Sequence, residues 1–427
     1  MIIHVVSPGE TLFSIAAQYG VSPTLLQKQN QIPDDGTLVV GQTLVVLFPQ
    51  QIHTVQSGET AQSIADTYGI TVRELYQNNF FLAGQPTLQA GDELIIRLSG
   101  EKQGTLSVNG YAYPFIDTAL LDQTLPYMTH LTPFTYGITA QGDLVMLNDA
   151  VLLASAQRYQ VAPWMHLSTL TEGGNFSSQR AEQVLTDPAL QQRLLQQIQT
   201  VMQEKGYTGL DVDFEYIRGD LADAYAAFIR FLQQNLSPQG YTVVVALAPK
   251  TYADQPGLLY EAHDYAALGA AADAVLLMTY EWGYTYGPPL AVAPLPQVQQ
   301  VLQFALSVIP AEKIYLGIPL YGYDWPLPYE QGITRAQSLS PDQALALARD
   351  TGTDIQYDET AQAPWFRYTA RDGRAHEVWF EDARSAQAKL RLAASSGLRG
   401  VGLWSLMRRG SQFYLVLNAD YNIRTES

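Results

Sequence analysis

The sequence contains no cysteine, which excludes disulfide bonds and thiolate metal sites from its chemistry. Basic residues are few: 24 Lys and Arg stand against 41 Asp and Glu, for a formal net charge of −17. That charge argues against nucleic acid or an anionic membrane surface as a partner. Long apolar runs are absent too, since none approaches the roughly 20 residues that span a bilayer. The N-terminus lacks the basic and apolar regions of a signal peptide, so we identify no such signal.

The N-terminal part contains an internal repeat. The stretch HVVSPGET at residues 4–11 recurs, 49 residues later, as HTVQSGET at 53–60. The pairs Ile-Ala and Tyr-Gly and a single Asn recur at the same spacing, and Gly41 and Gly91 follow near the end of each copy. Each copy predicts a strand, two helices and a closing strand, because β-prone ends flank two helical stretches that are separated by Tyr-Gly. We therefore expect two small βααβ modules, at 1–49 and 50–99.

This repeat resembles the LysM module at its Gly-Glu-Thr, Ile-Ala, Tyr-Gly, Asn and late Gly positions. The resemblance implies binding to glycans that contain N-acetylglucosamine, such as peptidoglycan and chitin; a small spacer without a ligand is the alternative. Two weak sites on one chain would gain from effective concentration on a polymeric glycan. The resemblance places these residues at the sugar grooves: Gly9, Glu10, Thr11 and Asn30 in the first copy, and Gly58, Glu59, Thr60 and Asn79 in the second.

A different pattern begins after the polar, glycine-containing stretch at 99–104, which we interpret as a linker. Runs of β type alternate with amphipathic helical stretches, as in parallel α/β folds. The runs cover 106–113, 129–136, 161–167, 209–214, 242–248, 274–280, 313–319 and 400–404. Eight strands with crossover helices predict an α/β fold of the (β/α)8 TIM-barrel type over 105–427. A doubly wound open sheet is the alternative, but no Gly-x-Gly-x-x-Gly loop follows the first strand.

The interval between the seventh and eighth runs, of about eighty residues, is too long for a simple crossover. A helical stretch at 341–350 lies among four short β-type runs, at 333–337, 354–358, 365–369 and 377–380. We therefore expect a small α+β insertion at about 326–382, which would form a wall of the cleft.

Residues 209–215, GLDVDFE, are the most informative about chemistry. Side chains alternate faces along a strand, so Asp211, Asp213 and Glu215 share one face and three apolar residues share the other. An apolar outer face suits a parallel strand covered by helices, which would place the carboxylates inside. Crowded acids repel one another, and at least one pKa should rise, as a general acid requires. A solvated strand face and a divalent-metal site are the alternatives.

Aromatic residues follow several of the other predicted strands. Barrel active sites lie at the carboxyl ends of the strands, where these side chains would meet the three acids. The candidates for substrate contact are Tyr111, Tyr113, Glu281, Trp282, Tyr321, Tyr323, Asp324 and Trp404, next to Tyr280. Carboxylates combined with aromatic platforms suit a sugar, although tyrosine and tryptophan also serve as packing residues.

Three features together resemble glycoside hydrolase family 18: GLDVDFE, MTYEWG at 278–283, and a Trp that closes the eighth strand. The resemblance covers about 105–420. With two LysM-like modules, the chain is similar to the spore-cortex-lytic N-acetylglucosaminidase branch of that family, which uses these Phe-Glu and Tyr-Glu-Trp-Gly spellings. The resemblance implies a retaining hydrolase in which the 2-acetamido oxygen of the substrate, not a second carboxylate, attacks the sugar. It implies no cofactor and no metal ion.

The resemblance also implies roles for individual residues. Glu215 would protonate the glycosidic oxygen and later activate water. Asp213 would orient the acetamido N–H, with Asp211 behind it, and Tyr280 would donate a hydrogen bond to the acetamido oxygen. Trp404 would form the floor beneath the reacting sugar.

Two positions depart from the family pattern. Thr208 stands where a further Asp would lie three residues before Asp211, so the ion coupling of that Asp is not carried over. Glu281 stands where the family has a shorter Asp that contacts sugar hydroxyls. The resemblance further implies non-proline cis peptide bonds after Glu215 and after Trp404.

These features predict a hydrolase of peptidoglycan, in the spore cortex or its fragments, that is anchored by the LysM-like pair. The expected partner is an N-acetylglucosamine-containing glycan, and the expected location is the spore coat and cortex region or the cell wall. A chitinase acting on chito-oligomers and a catalytically silent glycan-binding coat protein are the alternatives. The sequence identifies no protein partner.

Overall fold

The computed structural model describes residues 1–85, 87–171 and 173–426. The N-terminal part holds two copies of a unit in which two helices accompany a two-stranded antiparallel sheet. The first repeat consists of β1 (Ile2–Val5), α1 (Leu12–Tyr19), α2 (Pro23–Gln29) and β2 (Thr43–Val46). The second repeat consists of β3 (Pro49–Thr54), α3 (Ala61–Tyr68), α4 (Val72–Asn78) and β4 (Glu93–Leu98). The predicted βααβ order is confirmed.

The two repeats end their first helix in the same way. Gly20 and Gly69 take the left-handed conformation, with φ of 65° and 62°. Glycine adopts this conformation without the steric cost of a Cβ, and the N–H groups of both glycines donate to carbonyls in the last helical turn. The chain can therefore reverse directly into the second helix.

Strands and helices alternate through the rest of the chain. The strands are β5 (Thr105–Ala112), β6 (His130–Pro133), β7 (Gly137–Ile138), β8 (Leu144–Val145), β9 (Ala162–Ser168), β10 (Gly209–Asp213), β11 (Thr242–Leu247), β12 (Ala274–Leu277), β13 (Ile314–Pro319), β14 (Gly322–Pro326), β15 (Gln337–Leu339), β16 (Gln356–Asp358), β17 (Ala363–Thr369), β18 (Ala375–Trp379), β19 (Gly400–Trp404) and β20 (Asn422–Ile423). The helices are α5 (Thr118–Thr124), α6 (Ala150–Arg158), α7 (Ser178–Thr186), α8 (Pro188–Lys205), α9 (Ala222–Leu236), α10 (Tyr265–Ala271), α11 (Leu295–Val308), α12 (Pro341–Thr351), α13 (Ala383–Ser395) and α14 (Gln412–Asp420).

Eight of these strands close into a parallel barrel. The order β19-β13-β12-β11-β10-β9-β6-β5 returns to β19 through a parallel β5–β19 pairing. Alternate side chains of the strands fill the interior, where Tyr111, Trp164, Val244, Leu276 and Tyr315 belong to one buried cluster. The predicted (β/α)8 barrel is confirmed, and its closure brings the carboxyl ends of all eight strands to one rim.

The insertion between the last two barrel strands is an antiparallel sheet, in the order β15-β14-β18-β17-β16, with α12 packed against β17. The sequence predicts a strand at 333–337, and this position is wrong. Thr334 instead closes a turn on Glu330: its N–H donates to the carbonyl of Glu330 (2.9 Å), and its hydroxyl accepts from the N–H of Glu330 (2.8 Å). The strand therefore starts only at Gln337. The sheet also contains β14, between β15 and β18, which begins before the insertion limit of about 326 that the sequence predicts.

The two repeats are docked on the barrel. From α4, Arg73 donates hydrogen bonds to the carbonyl oxygens of Pro126 (2.9 Å) and Met128. Phe80 stacks on Tyr414 of α14, with 5.2 Å between ring centroids. Both contacts join the second repeat to the body of the barrel, so the hydrophobic core continues from one into the other.

The stretch at 99–104, predicted as a linker, is held at both ends. The N–H of Ser99 donates to the carbonyl of Phe48 (2.8 Å), and the N–H of Gln103 donates to the carbonyl of Asp420 (2.6 Å). The connection between repeats and barrel is therefore part of the packed structure. Within the described ranges, no helix has both the length and the apolar character that a membrane crossing requires.

Candidate active site

The carboxyl ends of the barrel strands surround a cleft of about 1330 Å3. Asp213 is the last residue of β10, and Glu215 follows two residues later; both line the cleft. Tyr280 and Glu281 reach it from the segment after β12, and Trp404 reaches it from the end of β19. These residues are far apart in the sequence, and closure of the barrel brings them together.

The three acids of β10 differ in their surroundings. Asp211 is fully buried, and one of its oxygens, Oδ2, accepts a hydrogen bond of 2.7 Å from the Tyr111 hydroxyl. Asp213 is 6% exposed and Glu215 is half-buried at the cleft surface. Among the described residues, no hydrogen-bond partner is found for Oδ1 of Asp211 or for Oδ1 of Asp213. Buried carboxylate oxygens without partners favour the protonated form.

The pKa values follow from this burial. Burial raises the pKa of the Asp211 carboxyl to about 7, although the hydrogen bond from Tyr111 acts in the opposite direction. Burial also raises the pKa of Glu215 to about 7. The pKa of Asp213 lies well above its ordinary value, first because of burial and then because of the charges of Glu215 and Asp211. The three acids together can therefore hold a proton at neutral pH. Glu215 is the one of them that is partly exposed, so it can deliver a proton to a molecule in the cleft.

Tyr280 and Trp404 frame the position above these acids. The pKa of Tyr280 is raised well above its ordinary value by burial and by the charge of Asp213, so its hydroxyl is a hydrogen donor at neutral pH. The Trp404 ring stands edge-on to Tyr111 and Phe134, at 5.6 and 5.0 Å between centroids, and lines the cleft floor with Tyr113. Such a floor is suited to the apolar face of a sugar ring.

The backbone at the site agrees with one of two expectations. The cis peptide bond predicted after Trp404 is confirmed. The bond after Glu215 is not among the cis peptides found in the described residues, so that prediction is wrong. The chain turns there because Tyr216 takes a left-handed conformation, with φ of 56°, and its carbonyl accepts a hydrogen bond of 2.6 Å from the Ser178 hydroxyl. Two further cis bonds, Phe134–Thr135 and Leu327–Pro328, were not predicted.

Glu281 lies on the wall of the cleft and is held by two phenols. Its carboxylate accepts hydrogen bonds from the hydroxyls of Tyr323 (3.0 Å) and Tyr321. Both tyrosine rings are buried, at 6% and 5% exposure, in a cluster with Trp325. They therefore position Glu281 and offer no ring face to a substrate, whereas Trp282 lines the cleft directly.

Asp324 corrects one prediction. It lies on β14, within the sheet of the insertion, and its carboxylate is occupied by the Tyr368 hydroxyl (2.7 Å) and by Nδ1 of His376 (2.8 Å). Tyr368 lies on β17 and His376 lies on β18, so both partners belong to the insertion sheet. The structure thus does not bring Asp324 to the cleft, because the pairing of β14 with β18 directs its side chain into the insertion.

The opposite wall of the cleft was not predicted. It comes from the segments that follow β9 and β11, and from the residue after Glu215. Its main residues are Phe176, Tyr216, Thr251, Tyr252, Gln255 and Tyr260. The available signal was positional: loops after barrel strands form the site whatever their composition. His166, on β9, also lines the cleft.

Asn30 and Asn79 correct the predicted sugar grooves of the repeats. The Asn79 amide donates to the carbonyls of Leu75 and Ile95 (2.8 Å each) and accepts from the N–H of Ile95 (2.8 Å). Asn30 makes the equivalent three bonds in the first repeat. Both residues are buried, so these amides join the second helix to the closing strand and leave no polar atom for a sugar.

The Gly-Glu-Thr segments are also tied into the fold. Oε2 of Glu10 accepts from the N–H of Ser7 (2.7 Å) and lies 2.9 Å from Nε2 of His4, and Glu59 makes the same contacts in the second repeat. Thr11 caps α1 and, equivalently, Thr60 caps α3. These side chains shape the loops, while Gly9 and Gly58 at the loop tips stay exposed.

A parallel barrel whose rim combines carboxyls of raised pKa with aromatic side chains is typical of a glycoside hydrolase. Among the described residues, no three His, Asp or Glu are grouped so that they could hold a metal ion. The model of the glycosyl hydrolases family 18 matches residues 160–408, and the LysM domain model matches residues 4–47 and 53–97. The chain belongs to glycosyl hydrolases family 18 and carries two LysM domains.

Individual relatives agree with this family. The chain is 40% identical over 426 residues to a cortical fragment-lytic enzyme of Bacillus subtilis (strain 168), covering 99% of each. It is 36% identical to a cortical fragment-lytic enzyme of Bacillus cereus, covering 99% of this chain and 98% of that one. Among solved structures, the spore cortex-lytic enzyme SleL of Bacillus megaterium QM B1551 is similar, with a TM-score of 0.84, 34% identity and coverage of 100% and 99%.

Proposed function

We propose that this glycoside hydrolase cleaves spore-cortex peptidoglycan, or fragments of it, after N-acetylglucosamine residues and with retention of configuration. The observation that carries the proposal is the set of three acids with raised pKa values at the end of β10: Asp211 and Asp213 on the strand and Glu215 two residues beyond it, with Asp213 and Glu215 lining the cleft. The names of the relatives support the choice of cortex as the substrate.

Glu215 is the proposed proton donor. Its pKa of about 7 keeps a proton available at neutral pH, and it is the most exposed of the three acids. The proton moves to the glycosidic oxygen as the bond from that oxygen to C1 breaks. The acetamido oxygen of the substrate forms a new bond to C1, and water, activated by the resulting Glu215 carboxylate, later replaces it with net retention.

Asp213 and Tyr280 are the proposed partners of the acetamido group. Asp213 accepts a hydrogen bond from its N–H and balances the positive charge that develops there, while the Tyr280 hydroxyl donates to the acetamido oxygen. Asp211 lies behind Asp213 and is fixed by the Tyr111 hydroxyl at 2.7 Å. We propose that Tyr111 supports the acids through this hydrogen bond; its contact with a sugar, which the sequence predicts, stays a prediction, since Tyr111 also lines the cleft.

Sugar binding is proposed for the aromatic floor and for the Glu281 wall. Trp404 and Tyr113 would face the reacting sugar, and Trp282 would contact a neighbouring one. Glu281, held by its two tyrosines, would accept hydrogen bonds from sugar hydroxyls.

The LysM pair is the proposed anchor on the glycan, with Gly9 and Gly58 and their flanking loops as the contact. We propose module limits of 1–49 and 50–99 and a catalytic domain of 105–427, whose insertion, at about 326–382, extends back to include β14. Because the second LysM module is docked on the barrel, the anchor would hold the cleft at a fixed orientation to the glycan. The proposed location is the spore coat and cortex region or the cell wall.

The test is Glu215→Gln with purified cortex fragments, followed by mass spectrometry of the products. We expect hydrolysis to fall by about a thousandfold or more, since the variant has no proton to transfer, while binding to cortex is retained. Glu204→Gln, on the exposed surface of α8, is the matched control and should keep full activity. Products that end in reducing N-acetylglucosamine support the proposal. Turnover of chito-oligomers alone, or normal activity of Glu215→Gln, would refute it.

A further inference from the structure

His166 lies beside the catalytic acids, in the interior of the barrel. It is 1% exposed and pairs in register with Asp211 across β9 and β10. Its Nε2 atom is 3.9 Å from Oδ2 of Asp211 and 3.7 Å from Oδ2 of Asp213. These distances exceed a direct hydrogen bond, but they place one ring nitrogen next to both carboxyl groups at a buried position. Among the described residues, His166 is the only basic side chain that contacts either acid.

The far side of the ring is fixed. Nδ1 lies 2.6 Å from the Thr135 hydroxyl oxygen, which also lies 3.1 Å from the carbonyl of Tyr136 and 3.1 Å from the Ser168 hydroxyl. The imidazole ring packs against the Phe134 ring, with 4.6 Å between centroids. It also makes an edge contact with the Tyr111 ring, with 5.8 Å between centroids. The imidazole cannot turn away from the acids without losing these contacts.

The surrounding charges select the tautomer. The titratable groups that face the ring are Asp211 and Asp213 from β10 and Tyr111 from β5; Thr135 and Phe134 carry no charge. Carboxyl oxygens in front of Nε2 favour a hydrogen on that nitrogen. In that tautomer Nδ1 would accept the hydrogen of the Thr135 hydroxyl, for which the carbonyls of Tyr136 (3.1 Å) and His166 (3.4 Å) are competing acceptors, and Nε2 would present an N–H to the acids.

Within the described ranges, we find no other side chain behind the two acids that donates a hydrogen to Asp213. The hydroxyl of Thr208, three residues before Asp211, donates a hydrogen bond of 3.1 Å to the carbonyl of Pro163. The Tyr111 hydroxyl donates to Oδ2 of Asp211. Among the described residues, it makes no hydrogen bond to Asp213. Among the described residues, His166 is therefore the basic group that is placed to influence which of Asp213 and Glu215 holds a proton.

We propose that His166 is a positioning residue for the reaction, whose Nε2–H lowers the cost of ionising Asp213 and so favours the state in which the proton is on Glu215. This rests on the proposed function, because it assumes that Asp213 must be anionic to balance the acetamido group while Glu215 is protonated. No bond to His166 forms or breaks: the proton that reaches the glycosidic oxygen comes from Glu215. Burial lowers the pKa of His166 to about 3, which agrees with a neutral ring that acts as a donor and not as a cation.

The first test compares His166→Phe, which removes the donor, with His166→Gln, which keeps a neutral N–H. For His166→Phe we expect kcat to fall about tenfold, KM to change less than about twofold, and the acidic limb of the kcat/KM profile to move up by about one pH unit, because Asp213 becomes harder to ionise. His166→Gln should recover most of kcat and return the limb toward its original position. An unshifted acidic limb in His166→Phe, or no recovery in His166→Gln, overturns the proposal.

His130→Phe is the matched control. His130 is a buried histidine of the barrel interior, stacked on Trp164 at 3.7 Å between centroids. Its replacement should lower thermal stability without moving the acidic limb. If His130→Phe shifts the limb as far as His166→Phe does, the effect belongs to general loosening of the barrel and the proposal fails.

The second test needs neither substrate nor a folded His166 variant. Nitrogen NMR of the histidine rings in the wild-type enzyme, with His166 assigned through its contact with Phe134, reports the tautomer at neutral pH. We expect hydrogen on Nε2 and a change of that resonance in Asp213→Asn. Hydrogen on Nδ1, or no change in Asp213→Asn, overturns the proposal. Absence of cortex hydrolysis by the wild-type enzyme would instead refute the proposed function and leave this result intact.

Discussion

Replacing Glu215 with Gln should make the enzyme more stable, by an amount that depends on pH. Burial raises the pKa of Glu215 from 4.5 to about 7, so the folded state holds its proton more tightly than the unfolded chain does. A group of this kind favours folding at low pH, and its contribution is lost as pH rises through the interval between the two values. Gln carries no charge and does not impose that loss.

The magnitude follows from the same two values. The interval from 4.5 to about 7 corresponds to about 3 kcal/mol when fully developed, at about 1.36 kcal/mol for each pKa unit. We therefore expect Glu215→Gln to exceed the wild type by about 3 kcal/mol at pH 8 and by about 1 kcal/mol at pH 5. Removal of the neighbouring charge also eases the ionisation of Asp213, which acts in the same direction.

The assay is urea unfolding of both proteins across this pH range, with thermal midpoints as a second measure. Glu204→Gln is again the control, because its side chain is exposed on α8 and its replacement should give the same small difference at every pH. A stability difference between Glu215→Gln and wild type that is constant from pH 5 to pH 8 would show that burial does not shift Glu215, and the argument for it as a proton donor would lose its basis.

Two further predictions concern residues that the structure reassigns. Replacing both Tyr321 and Tyr323 with Phe removes the two hydrogen bonds that hold Glu281. We expect KM for cortex fragments to rise about fivefold to tenfold, with kcat changed less than about twofold. A lower kcat at constant KM would contradict this role. Replacing Asn79 with Ala leaves backbone groups of the second repeat without partners and should cost about 2–4 kcal/mol in urea unfolding. The protein that remains folded should still sediment with insoluble peptidoglycan, and loss of that binding would restore Asn79 to the sugar groove.

Local pattern was sufficient to predict most of the architecture. The repeat is visible because Gly20 and Gly69 fix the same turn in both copies, and the barrel is visible because its strands are apolar runs between amphipathic helices. The docking of repeats on barrel had no such signal. Arg73 donates to carbonyl oxygens, a type of partner that every residue possesses, and Phe80 meets a tyrosine that lies over three hundred residues away in the chain.

The site was predictable where alternation along one strand determines side-chain direction. Asp211, Asp213 and Glu215 needed only the period of a strand to be placed together. Asp324 could not be placed in this way, because its direction depends on the pairing of β14 with β18, two strands that are distant in the sequence. The conformation of the turn after Glu215 could not be predicted from strand alternation either. The chain turns there through the left-handed conformation of Tyr216 and not through a cis bond.

Burial of polar groups separates structural from chemical residues in this protein more sharply than residue type does. Asn79 is fully buried and uses both its amide hydrogens and its oxygen within the repeat, so nothing about it is available for a ligand. Asp213 is almost as buried, yet one of its oxygens has no partner among the described residues. A folded protein tolerates that loss of hydration only where something compensates for it. In the proposed function, the acetamido N–H of a bound sugar would supply that compensation, so the same degree of burial accompanies a structural amide in one domain and a proposed reactive carboxyl in the other.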